Sequence, residues 1–259
     1  MGLIPSSFNI IIFGEAGVGK SSVINLIANT DVAKTSRDAK GCTLESKQHT
    51  FNVARRTFNI WDTIGLGEPM FGVTNYLSAI EKTYVLIQQV KAQGGLDLLL
   101  FCMPGSRVTA TMVCNYRLFF EVLCEKRIPI AVVVTRLEDE EKMEEWWDRN
   151  EKYIRQCGLI FGGHACITRR REHPKAAEGR SALELLLLSY GRKGRYPMPS
   201  ASIWFSGFLR RLPSIRRSRA LVDKQKELEQ LLRDRCMMDN ADAQQLAENL
   251  TRLREHDRY

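Results

Sequence analysis

The sequence lacks any apolar run approaching the roughly 18 residues of a membrane-spanning helix, which excludes a helical transmembrane protein. Its opening residues, MGLIPSSFNIIIF, carry neither the basic lead nor the small-residue cleavage site of a secretory signal. Seven cysteines (Cys42, Cys102, Cys114, Cys124, Cys157, Cys166 and Cys236) form no C-x-x-C pair and are odd in number. That argues against a zinc or redox framework, and for reduced, mostly buried thiols in a cytoplasmic protein. Internal repeats and low-complexity tracts are absent as well. Acidic residues are missing from one stretch in particular. Of the 38 basic residues, eight lie between Arg192 and Arg219 with no acid among them, and the remainder equal the 30 acids. The net charge of +8 therefore belongs to one segment near the C-terminus, and the rest of the chain is neutral.

What is present is a chain of 259 residues, 44% hydrophobic, enough for one large domain with appendages. Short runs rich in Ile, Val and Phe at 8–13, 57–61, 97–103, 129–134 and 164–168 predict strands, with a more polar edge strand at 44–53. Helical spacing predicts helices near 20–28, 75–92, 110–126, 140–156 and 176–190. Strands alternating with helices of this length imply an α/β fold: a mostly parallel sheet covered by helices on both faces. This domain is expected to span 1–190. A Pro-, Gly- and Arg-rich linker or interfacial segment over 191–218 follows, then a helical extension over 219–259, broken into two helices at Asp239-Asn240.

The strongest local signal follows the first strand. Gly14-Glu15-Ala16-Gly17-Val18-Gly19-Lys20-Ser21 reads G-x-x-x-x-G-K-[ST], between a strand and a helix that continues through Ser22. Glycines let consecutive backbone N–H groups close around phosphate oxygens, and the helix N-terminus adds partial positive charge. Lys20 would reach the β- and γ-phosphates, and the Ser21 hydroxyl would ligate Mg²⁺. Asp62-Thr63-Ile64-Gly65, at the end of the strand 57–61, reads D-x-x-G: Asp62 would hold Mg²⁺ through water, and the Gly65 N–H would meet a γ-phosphate. Between the two motifs, Thr43 of Gly41-Cys42-Thr43 is the expected threonine that closes over Mg²⁺ and γ-phosphate.

The strand ending at Val134 runs into Thr135-Arg136-Leu137-Glu138-Asp139. A carboxylate here, from either Glu138 or Asp139, can accept two hydrogen bonds from guanine N1–H and its exocyclic amine, while Arg136 lies over the base plane. Adenine offers no matching donor pair, so the expected ligands are GTP and GDP with Mg²⁺; an ATPase is the alternative this element disfavours. With these motifs in this order, residues 8–190 resemble the septin-like branch of the Ras-type P-loop GTPases. The likeness is to immunity-associated GTPases, chloroplast-import GTPases of plants and small fungal G-domain proteins. It rests on GEAGVGKSS, GCT, WDTIGL, the Thr-Arg-x-Glu-Asp variant, and Cys157-Gly158 with Cys166-Ile167-Thr168. The resemblance implies a three-layer G domain and places a last base-contacting loop near Ile167-Thr168-Arg169.

In Ras-like proteins a glutamine follows D-x-x-G and orients the attacking water; here that position is Leu66, which has no hydrogen-bonding side chain. Hydrolysis is therefore expected to be slow unless another group supplies polar atoms. The septin-like resemblance implies a homodimer across the nucleotide face, and Arg37, Glu68 and Arg107 are candidates for the missing groups. The alternative is a GTP-stabilised scaffold that turns over poorly and assembles at membranes. Residues 200–217 interleave Ile203, Trp204, Phe205 and Phe208 with arginines, which suits an anionic lipid surface or docking on the G domain better than nucleic acid. The first six residues also satisfy M-G-x-x-x-[ST], an N-myristoylation pattern.

Overall fold

The computed structural model describes residues 7–30, 33, 47–53, 56–63, 86, 89–124, 126–190, 195–196 and positions 229, 230, 233, 240, 241 and 244. In order along the chain they form β1 (Ser7–Phe13), α1 (Lys20–Ala28), β2 (Lys47–Val53), β3 (Arg56–Asp62) and β4 (Leu98–Pro104). Then come α2 (Ala110–Tyr116), β5 (Ile130–Thr135), α3 (Met143–Gln156), β6 (His164–Cys166) and α4 (Ala176–Tyr190). The sheet order is β2-β3-β1-β4-β5-β6, with every pairing parallel except the edge pair β2 and β3. This is the α/β architecture expected from the alternating pattern, a mostly parallel six-stranded sheet accompanied by helices.

The central strands β4 and β5 are buried along their whole length, as strands covered on both faces are. Ile10 and Ile12 of β1, Phe58 and Ile60 of β3, Leu98 and Leu100 of β4, and Ala131 and Val133 of β5 form one core with Val23 and Ile27 of α1 and Leu183 and Leu187 of α4. The alternate residues point the other way. Phe13 stacks on Phe119 at 4.3 Å between ring centres and lies 5.1 Å from Phe101, which stacks on Phe161 at 5.7 Å. Burying each such side chain stabilises the fold by about 1.5–3 kcal/mol. Because β1 lies between β3 and β4, the connections that follow β1 and β3 run to opposite sides of the sheet, the topology that leaves a crevice at the C-terminal strand ends.

Several boundaries differ from the sequence expectation for local reasons. The helix predicted over 110–126 is α-helical only to Tyr116 and continues as a π-helix over Arg117–Leu123. The Cys124 N–H bonds the Phe119 carbonyl five residues back, a wider turn that accompanies Phe119 lying flat on Phe13. β6 stops at Cys166, not 168: the Ile167 N–H still meets Val134, but the Thr168 hydroxyl accepts the Arg170 N–H and turns the chain away. α3 starts at Met143 because Glu140 closes a turn on Leu137.

The opposite ends of the strands, at their N-termini, hold a polar network inside the apolar sheet. Asn9 is fully buried; its Nδ2 donates to the Gln93 and Gly95 carbonyls and its backbone N–H to Asp97. The Asn59 amide donates to Asn9 Oδ1, and the Thr50 hydroxyl donates to Asn59 Oδ1. Arg195 closes the network: its side chain is 17% exposed, pairs with Asp97 at 3.1 Å, and donates to the Gln93 and Ser7 carbonyls. Leu96 and Tyr196 exchange backbone hydrogen bonds beside it. Arg195 belongs to the stretch 191–218 expected as a linker or interfacial segment; apart from Arg195 and Tyr196, that stretch lies outside the described residues.

The chain divides into two compact units, Met1–Glu68 with Gln93–Pro197, and Pro69–Ala92 with Met198–Tyr259. In the second, Leu86 and Val90 are buried, and Arg233 pairs with Glu229 one helical turn away. Its described C-terminal residues are helical, Asn240 included; Asp239, the other expected cap, lies outside the described residues. Among the described residues no helix is long and apolar enough to cross a membrane.

Candidate functional site

The crevice at the C-terminal end of β1 is formed by the loop Gly14–Gly19 and the start of α1. Three glycines make the loop possible. Gly14 has φ +150°, and a Cβ there would stand 2.3 Å from the Cys102 carbonyl oxygen, so β4 excludes any side chain. Gly17 and Gly19 sit at φ +72° and +104°, the left-handed region that other residues enter at a cost. Gly19 is also the N-cap of α1 and supplies no capping side chain, so the first amides of the helix keep their hydrogen-bonding capacity for an anion. The Lys20 ammonium donates to the Gly14 and Glu15 carbonyls, each at 3.0 Å, which holds it across the loop.

Asp62, at the last position of β3, is 1% exposed and is brought beside α1 by the parallel pairing of β1 and β3. The Ser21 hydroxyl donates to its Oδ2 at 3.4 Å, a long bond, while Oδ1 has no partner among the described residues. Burial raises the Asp62 carboxyl above the ordinary carboxylate range, opposed by the Lys20 charge and the Ser21 hydrogen bond. A buried carboxylate with one oxygen unpartnered, beside a serine hydroxyl, is the hard-oxygen donor set that Mg²⁺ takes, with water completing its shell. The residues fit the ion. Among the described residues no cluster of three His, Cys, Asp or Glu side chains forms a self-sufficient metal site. Thr63 fixes the strand end by bonding the Ile12 carbonyl through its hydroxyl at 2.9 Å.

The β5 end is stitched to the same loop. The Thr135 hydroxyl donates to the Val18 carbonyl at 2.6 Å, and Arg136, at φ +65°, donates to the Gly17 carbonyl at 2.6 Å. Glu138 has a side chain 15% exposed; its carboxylate accepts the Arg169 N–H at 3.4 Å and lies 3.9 Å from the Arg170 guanidinium. Asp139 points into solvent. The Arg169 side chain runs past Gly19, where an added Cβ would meet its Cγ at 3.5 Å.

The structure therefore brings Gly14 to Ser21, Asp62, Thr135 and Arg136 together at the glycine loop, with Ser22 following in α1; Glu138, in the turn after β5, is bonded to Arg169, and Asp139 is exposed. Thr43, Gly65, Leu66, Arg37 and Glu68 lie outside the described residues; Arg107 is exposed on the loop before α2. One partner was missed from sequence: Thr109, whose hydroxyl donates to Glu15 of the loop. Its only local signal was a helix-capping position three residues before Met112.

Residues 9–136 match the family model described as 50S ribosome-binding GTPase. Era bound to MgGDPNP and nucleotides 1506–1542 of 16S ribosomal RNA superposes with a TM-score of 0.55 at 18% identity; 74% of this chain spans 59% of that chain. Aquifex aeolicus Era bound to GDP and aluminium fluoride gives 0.53 at 16% identity, over 86% of this chain and 67% of that one. A dimerization-deficient variant of Toc33 from Arabidopsis thaliana gives 0.51 at 16% identity, over 74% and 87%. At these identities the likeness is one of fold. Among curated proteins no sequence matches.

Proposed function

We propose that the protein is a Mg²⁺-dependent guanine-nucleotide switch with slow hydrolysis, a reading supported by the match of residues 9–136 to the family model described as 50S ribosome-binding GTPase. The observation that carries the reading is the convergence of Lys20, Ser21 and the half-partnered Asp62 on the mouth of the glycine loop. Lys20 and the loop amides bind and orient the β- and γ-phosphates, and their charge offsets what develops on the transferred phosphoryl group. Ser21 and Asp62, with Thr43, hold the Mg²⁺, which when bound neutralises phosphate charge. Gly65 positions the γ-phosphate.

Glu138 is the carboxylate that reads guanine, a choice over Asp139 supported by its low exposure and its contact with the Arg169 N–H beside the loop. Arg136 covers the base, and Arg169 lies on the other side of the loop, where the septin-like resemblance puts a base contact. The nucleotide state acts through residues 30–46 and 63–74.

Leu66 cannot orient water, so the missing polar group comes from a second copy across the nucleotide face, with Arg107 the exposed candidate. For chloroplast translocon components, dimerization is important for GTPase activity, which supports a dimer in a protein of this fold. Phosphate release per protein from nanomolar to tens of micromolar tests this: specific activity rises with concentration, and a flat profile contradicts the dimer. The basic segment 192–219, apart from Arg195, which pairs with Asp97, supports contact with anionic membranes; equal failure to float with anionic and neutral liposomes contradicts that.

A further inference from the structure

Glu15 is the one acidic residue of the phosphate loop. Its position poses an electrostatic difficulty, since a free carboxylate beside a triphosphate opposes binding by like-charge repulsion. In the structure that carboxylate is already engaged. Thr109 Oγ1 donates to Glu15 Oε1. The same Thr109 oxygen accepts the Met112 N–H at 3.1 Å and so caps α2. On the main chain, the Glu15 carbonyl accepts the Lys20 ammonium. Glu15 is thereby held at two points, its backbone against Lys20 and its side chain against the start of α2, 94 residues away in sequence.

We propose that Thr109 is a positioning residue for triphosphate binding: its hydroxyl draws the Glu15 carboxylate onto the start of α2, away from the phosphate cradle, and fixes the first turn of the loop. The inference rests on the guanine-nucleotide reading above. GTP carries one more phosphate group than GDP and is more sensitive to a misplaced carboxylate, so Thr109 sets the preference of the loop for the triphosphate.

Thr109→Asp separates this role from helix capping. An aspartate keeps an oxygen for the Met112 N–H but has no proton to donate, and it repels Glu15 toward the phosphates. Adding Glu15→Gln rebuilds the pair in reverse, the glutamine amide donating to the aspartate. The readout is the dissociation constant of fluorescent GTP and GDP with Mg²⁺ for the wild type, T109D and E15Q/T109D. The expected result is a loss of about tenfold for GTP, about threefold or less for GDP, and recovery of both in the double variant.

Equal losses for GTP and GDP, or a double variant as weak as T109D, overturn the proposal. If thermal unfolding shows that T109D does not fold, Thr109→Val with and without Glu15→Gln reads the same ratio. A selective GTP loss relieved by Glu15→Gln supports the latch, and an unselective loss overturns it. A wild type that binds neither nucleotide instead contradicts the guanine-nucleotide reading itself.

Discussion

The two ends of the strands differ in how completely their polar groups are satisfied. At the N-terminal ends, Asn9, Asn59, Thr50, Asp97 and Arg195 answer one another, and the Asn9 amide uses both protons and its oxygen. At the C-terminal ends, Gly19 offers no cap, and among the described residues Ser21 makes only a long bond and Asp62 keeps an oxygen unpartnered at 1% exposure. An unpaired buried carboxylate oxygen is costly, and its persistence marks a place where something else binds. A satisfied network stabilises and specifies the fold; an unsatisfied one is a site.

That comparison can be broken by substitutions that read out the wrong property. Lys20→Ala should have the largest effect, weakening GTP about a thousandfold, or about 4 kcal/mol. The urea stability of the nucleotide-free protein should change by less than about 1 kcal/mol. Arg195→Ala should do the reverse. It leaves Asp97 buried without its cation and should cost about 3 kcal/mol of stability, below the top of the range for buried pairs because Arg195 is partly exposed. Nucleotide affinity should stay within about twofold. A variant that lost binding at full stability would put function at the wrong end of the sheet. Asn9→Ala removes three side-chain hydrogen bonds and should cost about 2 kcal/mol in the same urea measurement.

The smallest expected effects are in pH dependence, and their signs differ. Burial raises the Asp97 carboxyl above its ordinary value of 3.8, against the lowering effects of the Asn9 N–H and Arg195. Its contribution is therefore fully present below 3.8 and is lost as pH rises through the raised value. For Glu144, burial pushes upward, but the His164 hydrogen bond and the Cys166 N–H hold the carboxyl below its ordinary 4.5. Its contribution is present above 4.5 and is lost as pH falls through the depressed value. Stability profiles of Asp97→Asn and Glu144→Gln, each minus wild type, should slope in opposite directions. Each change should stay below about 1 kcal/mol, since Glu144 is partly solvated. Slopes of the same sign contradict the assignment.

The two ends were unequally legible in the sequence. The loop Gly14 to Ser21 was readable because its backbone geometry demands particular residues at consecutive positions, and Asp62 because a strand end precedes it. The sheet and its helices followed from apolar runs that alternate with helical spacing. The network was hidden because its members are ordinary until folded. Asn9 and Asn59 interrupt apolar strands, and Arg195 stands among other basic residues 98 positions from Asp97. Glu138 and Asp139 were indistinguishable as a sequence pair; in the turn after β5 they differ in exposure, Glu138 bonded to Arg169 and Asp139 open to solvent. The π-helical turn after Tyr116 leaves no mark in a pattern of period 3.6, because Phe119 is apolar in either geometry.

The central claim is that the unsatisfied end of the sheet binds guanine nucleotide with Mg²⁺. Competition of unlabelled GTP and ATP against a fluorescent guanine nucleotide, with Mg²⁺ present and then chelated, tests it most directly. The account predicts displacement by GTP at least about a hundredfold more effective than by ATP, weakened when Mg²⁺ is removed. Equal displacement by ATP, or affinity indifferent to Mg²⁺, would contradict it.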